Sequence, residues 1–175
     1  MYYLRKLSKL STRDKLLTAN KVEEIPADIL KQEIPTTNNT LSVWGFETID
    51  KKMDAVRAAI LSSTGISKTD FIVFDDDLLK SSNILIDGTE MGQTGYLGFG
   101  NLHVNLCKLD YAAIGRVLEV MREVFTKEKY NEYYFQMSRA EVKTCIIDVY
   151  NEGLIDTQNI NSQLLDDINK FIDKE

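Results

Sequence analysis

The chain has 175 residues, 43% of them hydrophobic and 27% charged, a composition that excludes overall disorder and supplies enough chain for a substantial core. Two cysteines exclude a disulfide scaffold and fit a reducing cytoplasmic interior, no apolar run reaches the roughly 18 residues of a membrane span, and MYYLRKLSKL is too mixed for a secretory signal. The formal net charge of −6 is uneven, +5 over residues 1–21 and −4 over 151–175, and this acidity opposes nucleic acid and suits a basic protein partner.

YYLRKLS (2–8) alternates and predicts a strand. Residues 13–18 read as a helical turn, and Pro26, at a first helical position, opens a short helix over 26–33. The turn-rich IPTTNNT (34–40) leads to LSVWGF (41–46), an alternating strand that holds the only tryptophan. A helix follows, capped by Thr48. Ile49, Met53, Val56 and Ile60 share one face of a 3.6-residue period, and Gly65 stands where a left-handed residue ends a helix. FIVF (71–74) has no polar alternation and reads as a strand buried on both faces. ILI (84–86) and LHVNL (102–106) are two further strands.

Asp110 caps the next helix, whose core stripe is Ile114, Val117, Leu118, Met121 and Phe125. YYFQM (133–137) is a strand, and Ser138 with Glu141 forms a capping-box pattern. The helix it opens buries Val142, Cys145, Ile146 and Val149 and ends at Gly153, with Leu154 over its last turn. A final helix carries Ile160, Leu164, Leu165, Ile168 and Phe171 on one side. Strands and helices do not alternate regularly. The order predicts an α+β fold: a mostly antiparallel or mixed sheet of about five to six strands, with three main helices packed on one face or one end. Residues 1–175 read as one domain, with 1–38 as an optional N-terminal arm.

The most pointed local feature is FIVFDDDLLK (71–80), an apolar strand that ends in Asp75, Asp76 and Asp77. A metal site needs several oxygens on one ion. The other acids of this stretch are Asp70, before the strand, and Asp87 and Glu90, beyond the next one. The short connection makes the two strands antiparallel neighbours if they pair, with Asp75 near Asn83 and Asp87 near Asp70 or Phe71. The two acid groups then stand roughly 13–16 Å apart. Capping the turn over 78–82 is the simpler use of the three aspartates.

Glu141 and Lys143 match the end of a D…ExK nuclease pattern with Asp87 upstream, but on a helix two such residues diverge. His103 is the only histidine, and with Cys107 it supplies too few zinc ligands. On a strand the two stand about 13 Å apart, too far for proton transfer. Five glycines crowd GTEMGQTGYLGFG (88–100), which reads as a long hairpin or as a recognition loop presenting Met91, Tyr96 and Phe99. The acidic last helix argues against DNA reading by the final helix pair.

These features point to a non-catalytic protein–protein interaction domain without cofactor or metal. It would be an acidic partner that neutralises or scaffolds a larger protein, in the manner of an immunity protein or antitoxin. The residues expected at its contact surface are Tyr96, Phe99 and Met91, with Asp75, Asp76 and Asp77 as a charged rim. The rival is a metal-dependent phosphoryl-transfer or nuclease-like enzyme using those aspartates or Asp87.

Overall fold

A computed structural model describes residues 1–7, 14, 16, 18, 19, 21–28, 34–126 and 130–172. Six strands build one antiparallel sheet: β1 (Tyr2–Leu7), β2 (Leu41–Phe46), β3 (Thr69–Asp75), β4 (Leu85–Asp87), β5 (His103–Cys107) and β6 (Tyr134–Met137). Their spatial order is β4-β5-β2-β1-β3-β6. The helices are α1 (Lys52–Leu61), α2 (Asp76–Ser81), α3 (Tyr111–Thr126), α4 (Tyr130–Tyr133), α5 (Arg139–Asn151) and α6 (Ser162–Ile172). None of them is long and apolar enough to cross a membrane. The fold is α+β, as the order of elements predicts.

The first strand lies inside the sheet, between β2 and β3, so the segment 1–38 is anchored at its start. Further along that segment, Leu16, Ala19, Ile25 and Ile34 are buried in the core. Asp14, Leu16 and Thr18 are helical, as are Ala27 and Asp28. The rest of the two helical segments expected over 13–18 and 26–33 falls outside the described residues.

Helices cover both faces of the sheet, not one face or one end. Alternation along the strands sends Tyr3, Leu7, Val43, Ile72 and Phe74 to one side, where α3 and Leu79 of α2 pack. Leu4, Trp44, Phe46, Phe71 and Val73 face the other side, under α1, α5 and α6. The cause lies in β3. Its residues 71–74 are fully buried, and an apolar run of that kind loses hydrophobic stabilisation if either face stays wet.

Local signals explain most helix ends. Asp110 Oδ1 accepts the Ala113 N–H at 2.8 Å at the start of α3. Ser138 and Glu141 complete their capping box at the start of α5. Gly153, at φ +71°, closes α5 and lets Leu154 N–H reach the Val149 carbonyl. The start and end of α1 differ from expectation. Thr48 opens a 3-10 turn, Ile49–Lys51, without a side-chain capping bond, and the α-helix begins at Lys52. That tighter turn breaks the assumed 3.6-residue phase. Val56 and Ile60 are buried, but Met53 is exposed. Hydroxyls of Ser62 and Ser63 both donate to the Ala59 carbonyl and finish the helix before Gly65, which has no positive φ.

Candidate functional site: a groove at the acidic end of the sheet

The three aspartates after β3 have separate fates. Asp75 is the N-cap of α2, and its Oδ1 accepts the Leu78 N–H at 2.7 Å. Asp76 pairs with Lys80 at 2.6 Å and accepts the Tyr3 hydroxyl at 3.2 Å. The Lys80 ammonium, followed by the Tyr3 hydroxyl, holds its carboxyl below the usual range. Asp77 is exposed. Replacing Asp75 with alanine is therefore expected to lower stability by about 1 kcal/mol, read as a shift in the urea midpoint at constant slope. Asp77→Ala should stay within about 0.5 kcal/mol of the parent.

Burial, with Asp76 adding its charge and hydrogen bond, pushes the Tyr3 phenol up to about 12. A tyrosine in the unfolded chain ionises near 10. The stability carried by this proton is complete below pH 10 and is lost as pH rises through about 12. Tyr3→Phe should flatten that alkaline loss in a thermal melt taken as a function of pH.

β3 and β4 are not neighbours. Strands β1, β2 and β5 stand between them. The cap on Asp75 starts a helix that carries the chain out of the sheet, so no hairpin forms there. Asp75 lies opposite Tyr2, whereas Asp87 lies opposite Asn105 on the far edge. Four strand spacings put them about 19 Å apart across the sheet alone. Among the described residues no group of three or more His, Cys, Asp and Glu side chains is arranged to hold a metal ion. Glu141 lies in the first turn of α5 and bonds the Ser138 N–H at 2.7 Å. His103 packs edge-on against Trp44, while the Cys107 thiol donates to the Asn105 carbonyl.

The glycine-rich stretch joins β4 to β5, which pair antiparallel, but it is more than a hairpin. It runs across α1 toward the α5–α6 connection. Gly95 N–H bonds the Leu61 carbonyl, Thr94 Oγ1 bonds the Ala58 carbonyl, and Tyr96 bridges to Ile155. A methyl group added at Gly95 would stand 2.8 Å from Ile160 Cβ, so the glycine permits close packing. Tyr96 is buried, and its ring stacks on Phe99 at 4.0 Å between centroids. Its hydroxyl bonds Arg57 and Asp54, and Arg57 makes a two-pronged pair with Glu152, just past the end of α5. The Tyr96 ring, expected at a contact surface, is therefore part of the core. Phe99 is half-buried, and Met91 is exposed on its own near Gly100.

Phe99 has one open side. It forms a wall of a groove of about 370 Å³ with Met1, Phe46, Leu102 and Val104, and Glu47, Lys51 and Asp54 lie along the lip. The Met1 carbonyl accepts the Asp76 N–H, which places the α2 aspartates beside the same groove. Phe99 and the aspartate edge thus share one end of the molecule. Phe46, Glu47, Asp54 and Leu102 were not singled out in the sequence, because three distant stretches meet only once the β1–β2–β5 register is set. The one local signal is WGFE, where a strand aromatic is followed at once by an acid.

Comparisons with protein-family models, curated proteins and solved structures find no match to this chain.

Proposed function

We propose that this protein is a non-catalytic interaction domain that neutralises or scaffolds a larger, basic protein. The partner inserts an apolar side chain into the Phe46–Phe99–Leu102 groove, and its lysines or arginines meet the surrounding carboxylates. The observation that carries this reading is the anatomy of the groove. Its floor is apolar, and its lip bears Glu47 and Asp54, with Asp76 and Asp77 beyond Met1. Lys51 is paired with Glu47 and Lys80 with Asp76, so these two lysines are already engaged. A dry apolar centre within a charged rim is how interfaces concentrate binding energy and select a partner. Asp75, consumed by the helix cap, and Tyr96, in the core, support the surface from behind.

The test is capture of partners from the source cell by the tagged full chain, run in parallel with Leu102→Lys. A basic protein retained by the parent and lost by the variant supports the reading. Retention of the same proteins by both refutes it.

A further inference from the structure

A second cavity lies on the same face of the sheet, toward the opposite ends of β1 and β2. The β1–β2 ladder stops at Leu4 and Trp44, although β1 continues along β3 to Leu7. In the gap Arg5 donates to the Ser42 carbonyl at 2.8 Å. Beside it is a cavity of about 290 Å³ lined by Arg5, Lys6, Ser42, Ser62, Gln93 and His103, with Trp44 as its floor.

The chemistry of this lining is one-sided. In a chain of net charge −6, no carboxylate lies among the described residues that line it. Lys6, Arg5 and the Trp44 indole can only donate hydrogen bonds, and the two serines and Gln93 can also donate. The Lys6 ammonium bonds the neutral Ser63 hydroxyl at 2.6 Å, and no ion pair joins it to a described carboxylate. Burial pushes its pKa down. A cation drawn partly out of water without a counter-charge is costly. The C-terminal end of α1 lies nearby and favours a cation there, but a helix terminus contributes only about 0.3–1 kcal/mol at an exposed site. It also gives no reason for a cavity beside the ammonium. The loop wall is tightly fitted: a Cβ at Gly92 would stand 2.4 Å from His103 Cβ, and His103 Nδ1 lies 3.3 Å from the Glu90 carbonyl. Because a carbonyl only accepts, that nitrogen carries the proton and Nε2 is left for other contacts.

We infer that this cavity binds a phosphate-type oxyanion, free or as the monoester of a small molecule, with Lys6 and Arg5 as its cationic wall and Gln93 at its mouth. A tetrahedral anion presents acceptors in several directions at once, which matches donors that converge from β1, β2, the end of α1 and the loop.

The test is thermal melting of the full chain with inorganic phosphate, and separately with glycerol phosphate, against sodium chloride at matched ionic strength. A saturable rise in the midpoint with phosphate but not chloride is expected, through preferential binding to the folded state. Lys6→Gln should weaken the apparent affinity by about tenfold or more. Gln93→Glu, an exposed change that leaves the core alone, should abolish the rise. Lys170→Gln, on α6, should change nothing. A stronger response to glycerol phosphate assigns the site to a monoester, and an equal response assigns it to the free ion. No saturable rise in the parent overturns the inference, as does an equal rise in the Gln93→Glu protein.

Discussion

Truncation of Tyr96 to alanine is expected to lower the unfolding free energy by about 3–5 kcal/mol, as for other large aromatic side chains removed from a core. The ring is 2% exposed and stacks parallel to Phe99. Its loss leaves a void between α1 and the 88–102 connection, and Phe99 loses its support. Tyr96→Phe keeps the ring and removes only the hydroxyl, which bonds Arg57 at 3.2 Å and Asp54 at 3.3 Å. That change should cost about 1–2 kcal/mol, because two polar partners lose one contact each. The pair of variants separates packing from hydrogen bonding, and urea denaturation reads both. A Tyr96→Ala protein that melts like the parent would contradict the buried placement.

The sequence signals that proved informative are those in which a few adjacent residues satisfy a local physical demand. The Ser138–Glu141 box, the Asp110 cap and the Gly153 terminus each close a backbone hydrogen-bond deficit within four or five residues, so spacing alone reveals them. The triple aspartate belongs to the same class, with Asp75 as the cap. The apolar run 71–74 also held more than was drawn from it. A strand buried on both faces requires cover on both faces, which conflicts with helices on one face only.

What adjacency cannot show is which strands meet. The β3–β4 pairing that the short connection would allow is not made, because α2 diverts the chain and β4 joins the sheet at the far edge beside β5. The glycines were ambiguous for a related reason. Glycine is used where backbone is free to turn and where another element presses close, and these two uses look alike in a sequence. Gly98, at φ +81°, is the first kind, and Gly95, pressed against Ile160, is the second. In the sequence Tyr96 and Phe99 read as presented outward, whereas close packing at Gly95 draws Tyr96 inward. Phe99 lines the groove because β2 and the turn before β5 place Phe46 and Leu102 beside it, a juxtaposition that no adjacent residues signal.

The two cavities give the molecule a polarity along α1. Asp50 and Asp54 lie near its first turn, with Lys51 and Lys52 between them, and Lys6 stands at its end. Both placements agree with the helix dipole. On the two proposals above, a basic partner would dock at one end of this helix and a small anion at the other.

At the acidic end, Leu102→Lys is expected to weaken the partner complex by at least about 2 kcal/mol, on the order of thirtyfold in Kd. Leu102 is half-buried in the groove wall, so a lysine there can lift its ammonium to the surface along its own stem. The fold then loses about 1 kcal/mol or less, while the groove meets a basic partner with a like charge. The double change Glu47→Lys with Asp77→Lys acts differently. Both residues are exposed, so it should slow association roughly tenfold at low ionic strength and much less near 0.5 M salt, because rim charges steer encounter and are screened. Asp87→Lys, an exposed change on the far edge of the sheet, shifts net charge in the same direction and serves as the control. Association kinetics measured by surface plasmon resonance distinguish the cases. If Asp87→Lys slows binding as much as the rim pair does per charge, the partner senses only overall acidity and the groove is not its docking site.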